Sequence, residues 1–146
     1  MRDPFASFLA DSLAAVKRDA AGCADAMAAA LGPVVIDVAV DGERTVVYRD
    51  GAVRVADPST HPALAGRPIV HVATTARTLL DLAAGRDELL PAIVANRIRV
   101  RAAMRDAGRL FDVMRLFVEG NARSRAAPAL FAEYHRQVTH ESRRST

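Results

Sequence analysis

The stretch Ile69-Val-His-Val-Ala-Thr-Thr-Ala-Arg-Thr-Leu-Leu-Asp-Leu-Ala-Ala-Gly85 reads as a strand, a polar cap and a helix in direct succession. Residues 69–74 form the strand. Thr74 or Thr75 then offers a hydroxyl that caps the helix, and Leu79, Leu80 and Leu82 carry that helix to a stop near Gly85. Downstream, Asp87 opens a second short helix with Leu89, Leu90, Ile93 and Val94. Pro91 sits late for a first turn and predicts a distorted element. Arg97-Ile98-Arg99-Val100-Arg101 alternates cleanly, the period of a strand with Ile98 and Val100 facing inward. An apolar helix over 103–118 follows, carrying Met104, Ala107, Leu110, Phe111, Met114, Phe117 and Val118. Gly120-Asn121 is expected to end it, with 122–127 a linker and 128–138 a short helix bearing Leu130, Phe131, Tyr134 and Val138. The tail, 139–146, is expected to be disordered.

Upstream, residues 57–68 hold three prolines and no periodicity, and read as a loop. Before them, Asp41-Gly42 and Asp50-Gly51 are hairpin dipeptides, because such turns need positive φ. They join strands over 34–40, 44–49 and 52–56 into an antiparallel meander. At the front, Asp3-Pro4 suits a helix start. Phe5, Phe8, Leu9, Leu13, Val16, Ala20, Cys23, Met27 and Leu31 then make one apolar stripe. That stripe predicts a single long helix over 4–31, ended by Gly32-Pro33. The result is one α+β domain over 1–138: a five-stranded, mostly antiparallel curved sheet covered by helices, with a long N-terminal helix and a short C-terminal one.

This order of elements resembles the sterol carrier protein 2 family, over residues 45–55 and 69–118. The run from Ile69 to Gly85 is similar to the family's strand, polar cap and leucine-bearing helix. Arg97-Ile-Arg-Val-Arg-Ala-Ala-Met-Arg-Asp-Ala-Gly-Arg-Leu-Phe-Asp-Val-Met114 is similar to its basic strand and following helix. Where the family commonly has Gly before that strand, Asn96 stands here. The resemblance implies non-catalytic binding of a fatty acyl chain, a sterol-like ring or an isoprenoid in a hydrophobic cavity between the sheet and the later helices. Its expected walls are Leu79, Leu82, Leu90, Ile93, Val94, Ile98, Val100, Met104, Leu110, Met114 and Phe117, which otherwise pack together as core. Met104 and Met114 lean toward the ligand, since flexible thioethers suit adaptable apolar surfaces. An accessory or scaffold protein, using the helix at 4–31 or 128–138 to bind another protein, is the alternative.

Composition narrows the function classes. Of 146 residues, 51% are hydrophobic and 25% charged, an ordinary globular mixture. Tryptophan is absent and aromatics are 5%, which counts against a nucleic-acid partner that needs base stacking. Residues 1–96 carry nine Lys/Arg against twelve Asp/Glu, and 97–146 carry eleven Arg against five acids. Within the basic half, Arg97, Arg99 and Arg101 share one strand face, a candidate membrane-docking patch for anionic headgroups or simply a solvated exterior. Cys23 is the single cysteine, so no internal disulfide is expected. Aspartates interrupt the early apolar stretches, and no run approaches a membrane span. A cytoplasmic protein is expected.

Catalytic motifs are missing from the sequence. His61, His71, His135 and His140 have no partners at metal-ligand spacing, and no nucleophile elbow, phosphate loop or dinucleotide fingerprint occurs. No cofactor, no metal and no enzymatic activity are expected. His71 reads as a satisfied polar residue and Cys23 as a small buried hydrophobe.

Overall fold

The period-two segments pair into one sheet in the computed structural model, which describes residues 4–58, 64–83 and 85–144. The order is α1 (Pro4–Asp19), α2 (Ala21–Leu31), β1 (Val35–Val40), β2 (Glu43–Asp50), β3 (Ala52–Ala56), β4 (Ile69–Thr74), α3 (Ala76–Ala83), α4 (Leu89–Val94), β5 (Arg99–Arg101), α5 (Met104–Arg123) and α6 (Ala127–Arg144). Asp41 (φ 52) and Gly42 (φ 88) turn β1 into β2, and Gly51 (φ 72) turns β2 into β3, left-handed conformations that Gly and Asp adopt most easily. Both pairs are antiparallel, with Ile36 opposite Val47 and Val47 opposite Val55. The chain then crosses back beyond β1. β4 therefore runs parallel to β1, with Ile36 opposite Val70, and β5 closes the edge antiparallel to β4. The strand order is β3-β2-β1-β4-β5. Of the crossover loop read at 57–68, residues 59–63 lie outside the described residues, as does the helix-start residue Asp3.

Strand alternation sorts side chains onto two faces. Ile36, Val47, Val70 and Val72 face the helices and join Val16, Met27, Leu31, Ile98, Leu110 and Val113 in the main core. The other face holds Val35, Val46 and Tyr48 beneath Leu64. Beside them Asp37 is buried, with its Oδ1 accepting from Arg44 Nε at 3.2 Å and its Oδ2 3.4 Å from His71 Nδ1. His71 thus has a polar partner, on the face away from the helices.

Three helix boundaries differ from the sequence reading. The expected helix over 4–31 breaks at Ala20 (φ −146, ψ 60), giving α1 and α2. Both halves bury the same stripe, so periodicity runs through the break unchanged. A tertiary tie sits at the break: Asp19 Oδ2 accepts Ser124 Oγ at 2.9 Å and Arg125 N at 3.3 Å. Secondly, α5 does not stop at Gly120-Asn121 but continues to Arg123, into the expected linker. Gly120 is there for close approach, since a Cβ would lie 2.6 Å from Val16 Cγ1. Thirdly, the C-terminal helix is long, not short. α6 extends through Arg144, so the tail expected to be disordered from 139 is helical to that point, and 145–146 lie outside the described residues. Asn96 (φ 63) adopts the left-handed conformation, and asparagine is among the few residues that tolerate it.

Candidate functional site: an apolar cavity between sheet and helices

Thr75 caps α3 as expected, its Oγ1 accepting Thr78 N at 3.2 Å. Asp41 Oδ2 adds a second acceptor for the same helix start, taking Ala76 N at 3.2 Å. These bonds fix α3 beside the end of β4 and place Leu79 and Leu82 over the sheet. Along α5, residues 110, 114, 117 and 121 recur at steps of four, three and four, which is one face of a helix. That face, the floor made by Ile36, Val38, Val47, Val53 and Val72, and the inner sides of α1 and α6 enclose a cavity of about 490 Å³. The volume lies within the range of small-molecule sites.

The first helix is a wall the sequence reading did not assign to the cavity. Phe5, Phe8, Leu9 and Leu13 of α1 line it, with Phe131 of α6 opposite. Phe8 stacks on Tyr134 with centroids 4.8 Å apart and tilts against Phe131 at 5.0 Å. The helices offered by the sequence as a partner-binding surface therefore use their aromatic faces on each other. Val118, Ala122 and Pro128 line the cavity yet are exposed, which locates its mouth between α5 and α6.

Of the expected walls, Leu79, Leu82, Ile98, Leu110, Met114 and Phe117 lie on the cavity. Ile93 and Val100 pack against the main core without lining it. Leu90, Val94 and Met104 were expected to face inward and do not, being 66%, 86% and 91% exposed. The helix period explains all three. On the short α4, Leu89 and Ile93 take the inner side four residues apart, so Leu90 and Val94 share the other. Met104 stands two residues before buried Asp106 in α5 and so points nearly the opposite way.

No ionisable side chain lines the cavity among the described residues. Its polar side chains are Thr74, Asn121 and Ser124. Thr74 Oγ1 donates to Arg97 O at 3.0 Å, and Ser124 Oγ donates to Asp19 at 2.9 Å. Asn121 Nδ2 donates to Phe117 O at 2.8 Å, but its buried Oδ1 has no hydrogen-bond partner among the described residues. Asn121 was read from the sequence as a helix stop. Its step of four from Phe117 was the signal that placed it on the cavity face.

The arginine row is also rearranged. β5 spans only Arg99–Arg101, so Arg97 precedes the strand, and its Nε and Nη2 hold Asp87 at 3.0 and 2.9 Å. The Arg97 guanidinium beside Asp87 holds that carboxyl below its ordinary value. Arg99 and Arg101 are exposed on the sheet face opposite the helices and form no ion pair among the described residues. No group of three or more potential metal ligands occurs among the described residues, and no described helix is long and apolar enough to cross a membrane.

Comparison with known proteins gives neither a matching family model nor a matching curated sequence. Among solved structures, the chain is similar to the sterol carrier protein domain 2 of Helicoverpa armigera. The TM-score is 0.52 at 17% identity, covering 79% of this chain and 86% of that one. It is also similar to sterol carrier protein 2 from Yarrowia lipolytica in its apo form, with TM-score 0.49, 11% identity, and 77% and 88% coverage. The chain therefore has the α+β fold of sterol carrier protein 2 structures, with a mixed five-stranded sheet beneath its helices.

Proposed function

We propose that this protein binds an apolar lipid, a fatty acyl chain, sterol-like ring or isoprenoid, in the cavity between sheet and helices, and carries it without chemically changing it. The observation that carries this reading is the cavity itself: about 490 Å³ walled almost wholly by aliphatic and aromatic side chains from both layers. A packed core has few voids larger than a water molecule, and a continuous apolar space of this volume supports the binding reading. Leu79, Leu82, Ile98, Leu110, Met114 and Phe117 are the ligand contacts in this reading, together with Phe8 and Phe131 near the mouth. Arg99 and Arg101 would meet anionic headgroups during exchange, and Arg97, tied to Asp87, contributes less.

Mass spectrometry of organic extracts from the purified protein, paired with displacement of a neutral fluorescent probe by alcohols of increasing chain length, tests the reading. Each methylene entering the cavity should tighten binding roughly fourfold. Affinity that does not rise with chain length, together with no lipid in the extract, refutes it.

A further inference from the structure

We propose that Asn121 is the polar anchor of the cavity and that it selects a neutral ligand headed by a hydrogen-bond donor, a long-chain or ring alcohol, over the matching carboxylate. This rests on the ligand-binding reading above and narrows it to one chemical class. Three observations carry it.

First, the lining among the described residues holds no Arg, Lys or His. A carboxylate drawn inside would be a buried charge without a partner, which folded proteins avoid by excluding or neutralising it. The chain's many arginines are elsewhere: Arg97 on Asp87, Arg109 on Ala30 O, Arg44 on Asp37, Arg99 and Arg101 on the far face of the sheet.

Second, the other two polar lining groups already have hydrogen-bond partners: Thr74 Oγ1 donates to Arg97 O, and Ser124 Oγ donates to Asp19 and accepts Ala126 N. Asn121 is the exception. Its residue is only 6% exposed and its Oδ1 accepts nothing among the described residues. The amide orientation is fixed by chemistry, since reversing it would set two acceptor oxygens against each other at the Phe117 carbonyl.

Third, position directs the group. Asn121 continues the face of Leu110, Met114 and Phe117, all of which line the cavity. The terminal torsion of asparagine is soft, so a rotation of the planar amide can bring the buried Oδ1 to a donor in the cavity, with Nδ2 turning along with it. A buried acceptor left unmade is unfavourable, and a ligand hydroxyl relieves it.

The test uses the intact protein at pH 7.5 with Nile red as the displaced probe and three competitors of one chain length. These are 1-tetradecanol, tetradecyl methyl ether and tetradecanoate. The alcohol should bind about threefold to tenfold more tightly than the ether, the difference one hydrogen bond makes. It should bind more than about tenfold more tightly than the carboxylate. Asn121→Leu should erase the alcohol–ether difference, as expected when the polar contact is lost. Equal binding of alcohol and ether to the wild type, or tighter binding of tetradecanoate, overturns the assignment even if the Leu variant does not fold. Failure of Nile red and all three competitors to bind overturns the cavity reading and this inference with it. Binding with the wrong order overturns the inference alone.

Discussion

Replacing Gly120 with alanine probes the close approach of α5 to α1 and, through it, the cavity. At this position the added Cβ would lie 2.6 Å from Val16 Cγ1, 3.1 Å from Cγ2 and 3.4 Å from Cβ. Carbon atoms in contact sit roughly 3.5–4.0 Å apart, so about 1 Å must open between α1 and α5. Val16 is fully buried, and a β-branched side chain in a helix has essentially one rotamer, so the helices rather than the side chain must move. Overpacking of this kind costs about 1–3 kcal/mol, against a gain of up to ~1 kcal/mol from the better helix propensity of alanine. The expected net loss of up to about 2 kcal/mol lowers Tm by up to roughly 8 °C for a chain of this length. Introduced into a Val16→Ala background, the same substitution has room, and should raise Tm relative to Val16→Ala alone. Thermal melts of the four proteins measure both effects. A rise in Tm on Gly120→Ala in the wild type refutes the argument, because that is how a glycine on an unobstructed helix face behaves. Both helices wall the cavity, so the single variant should also change Nile red affinity.

Further outcomes follow from the same geometry. Met114 is a half-buried cavity wall, so Met114→Ala should cost less than the ~2–5 kcal/mol of a truncation in a packed core and weaken probe binding. A large stability loss with unchanged binding places it in the core instead. Asp41→Ala removes the acceptor for Ala76 N and sets alanine at φ 52, which together should cost about 2–3 kcal/mol in urea unfolding. Asp41→Gly, which relieves the backbone, should recover part of that. The Arg18 guanidinium and then the Ser124 hydroxyl hold the Asp19 carboxyl below its ordinary value. A depressed folded-state pKa gives stability that is present above the ordinary aspartate value and is lost as pH falls through the lowered one. Ser124→Ala should therefore flatten the acid limb of Tm against pH between about pH 5 and pH 2; an unchanged limb removes Asp19 from the account. Arg99→Glu with Arg101→Glu should abolish low-salt binding to anionic vesicles without altering probe binding. Wild type that ignores such vesicles leaves those arginines as a solvated sheet face.

Local chemistry in this chain was legible wherever a residue acts through its own backbone. Asp41-Gly42 and Gly51 turn the meander because only certain residues accept positive φ, and Thr75 caps α3 because a hydroxyl before a helix satisfies its free N–H groups. Alternation over Arg97-Ile98-Arg99-Val100-Arg101 likewise placed Ile98 and Val100 on the inner face and Arg99 and Arg101 on the outer one. The order of these elements was enough to suggest the sterol carrier protein 2 architecture. Tertiary structure decided what periodicity cannot encode. The stripe from Phe5 to Leu31 stays in phase through Ala20, so nothing local marks the break that the chain makes where Asp19 meets Ser124 and Arg125. Gly120 carries the local signature of a helix end, yet it is a point of contact with Val16, and only the partner helix shows which. The same holds at the cavity. Leu90, Val94 and Met104 are as apolar as Leu79, Leu110 and Met114, but an apolar side chain is buried only if another element covers it. The covering elements, α1 and α6, lie at the two ends of the chain, beyond the reach of any local pattern.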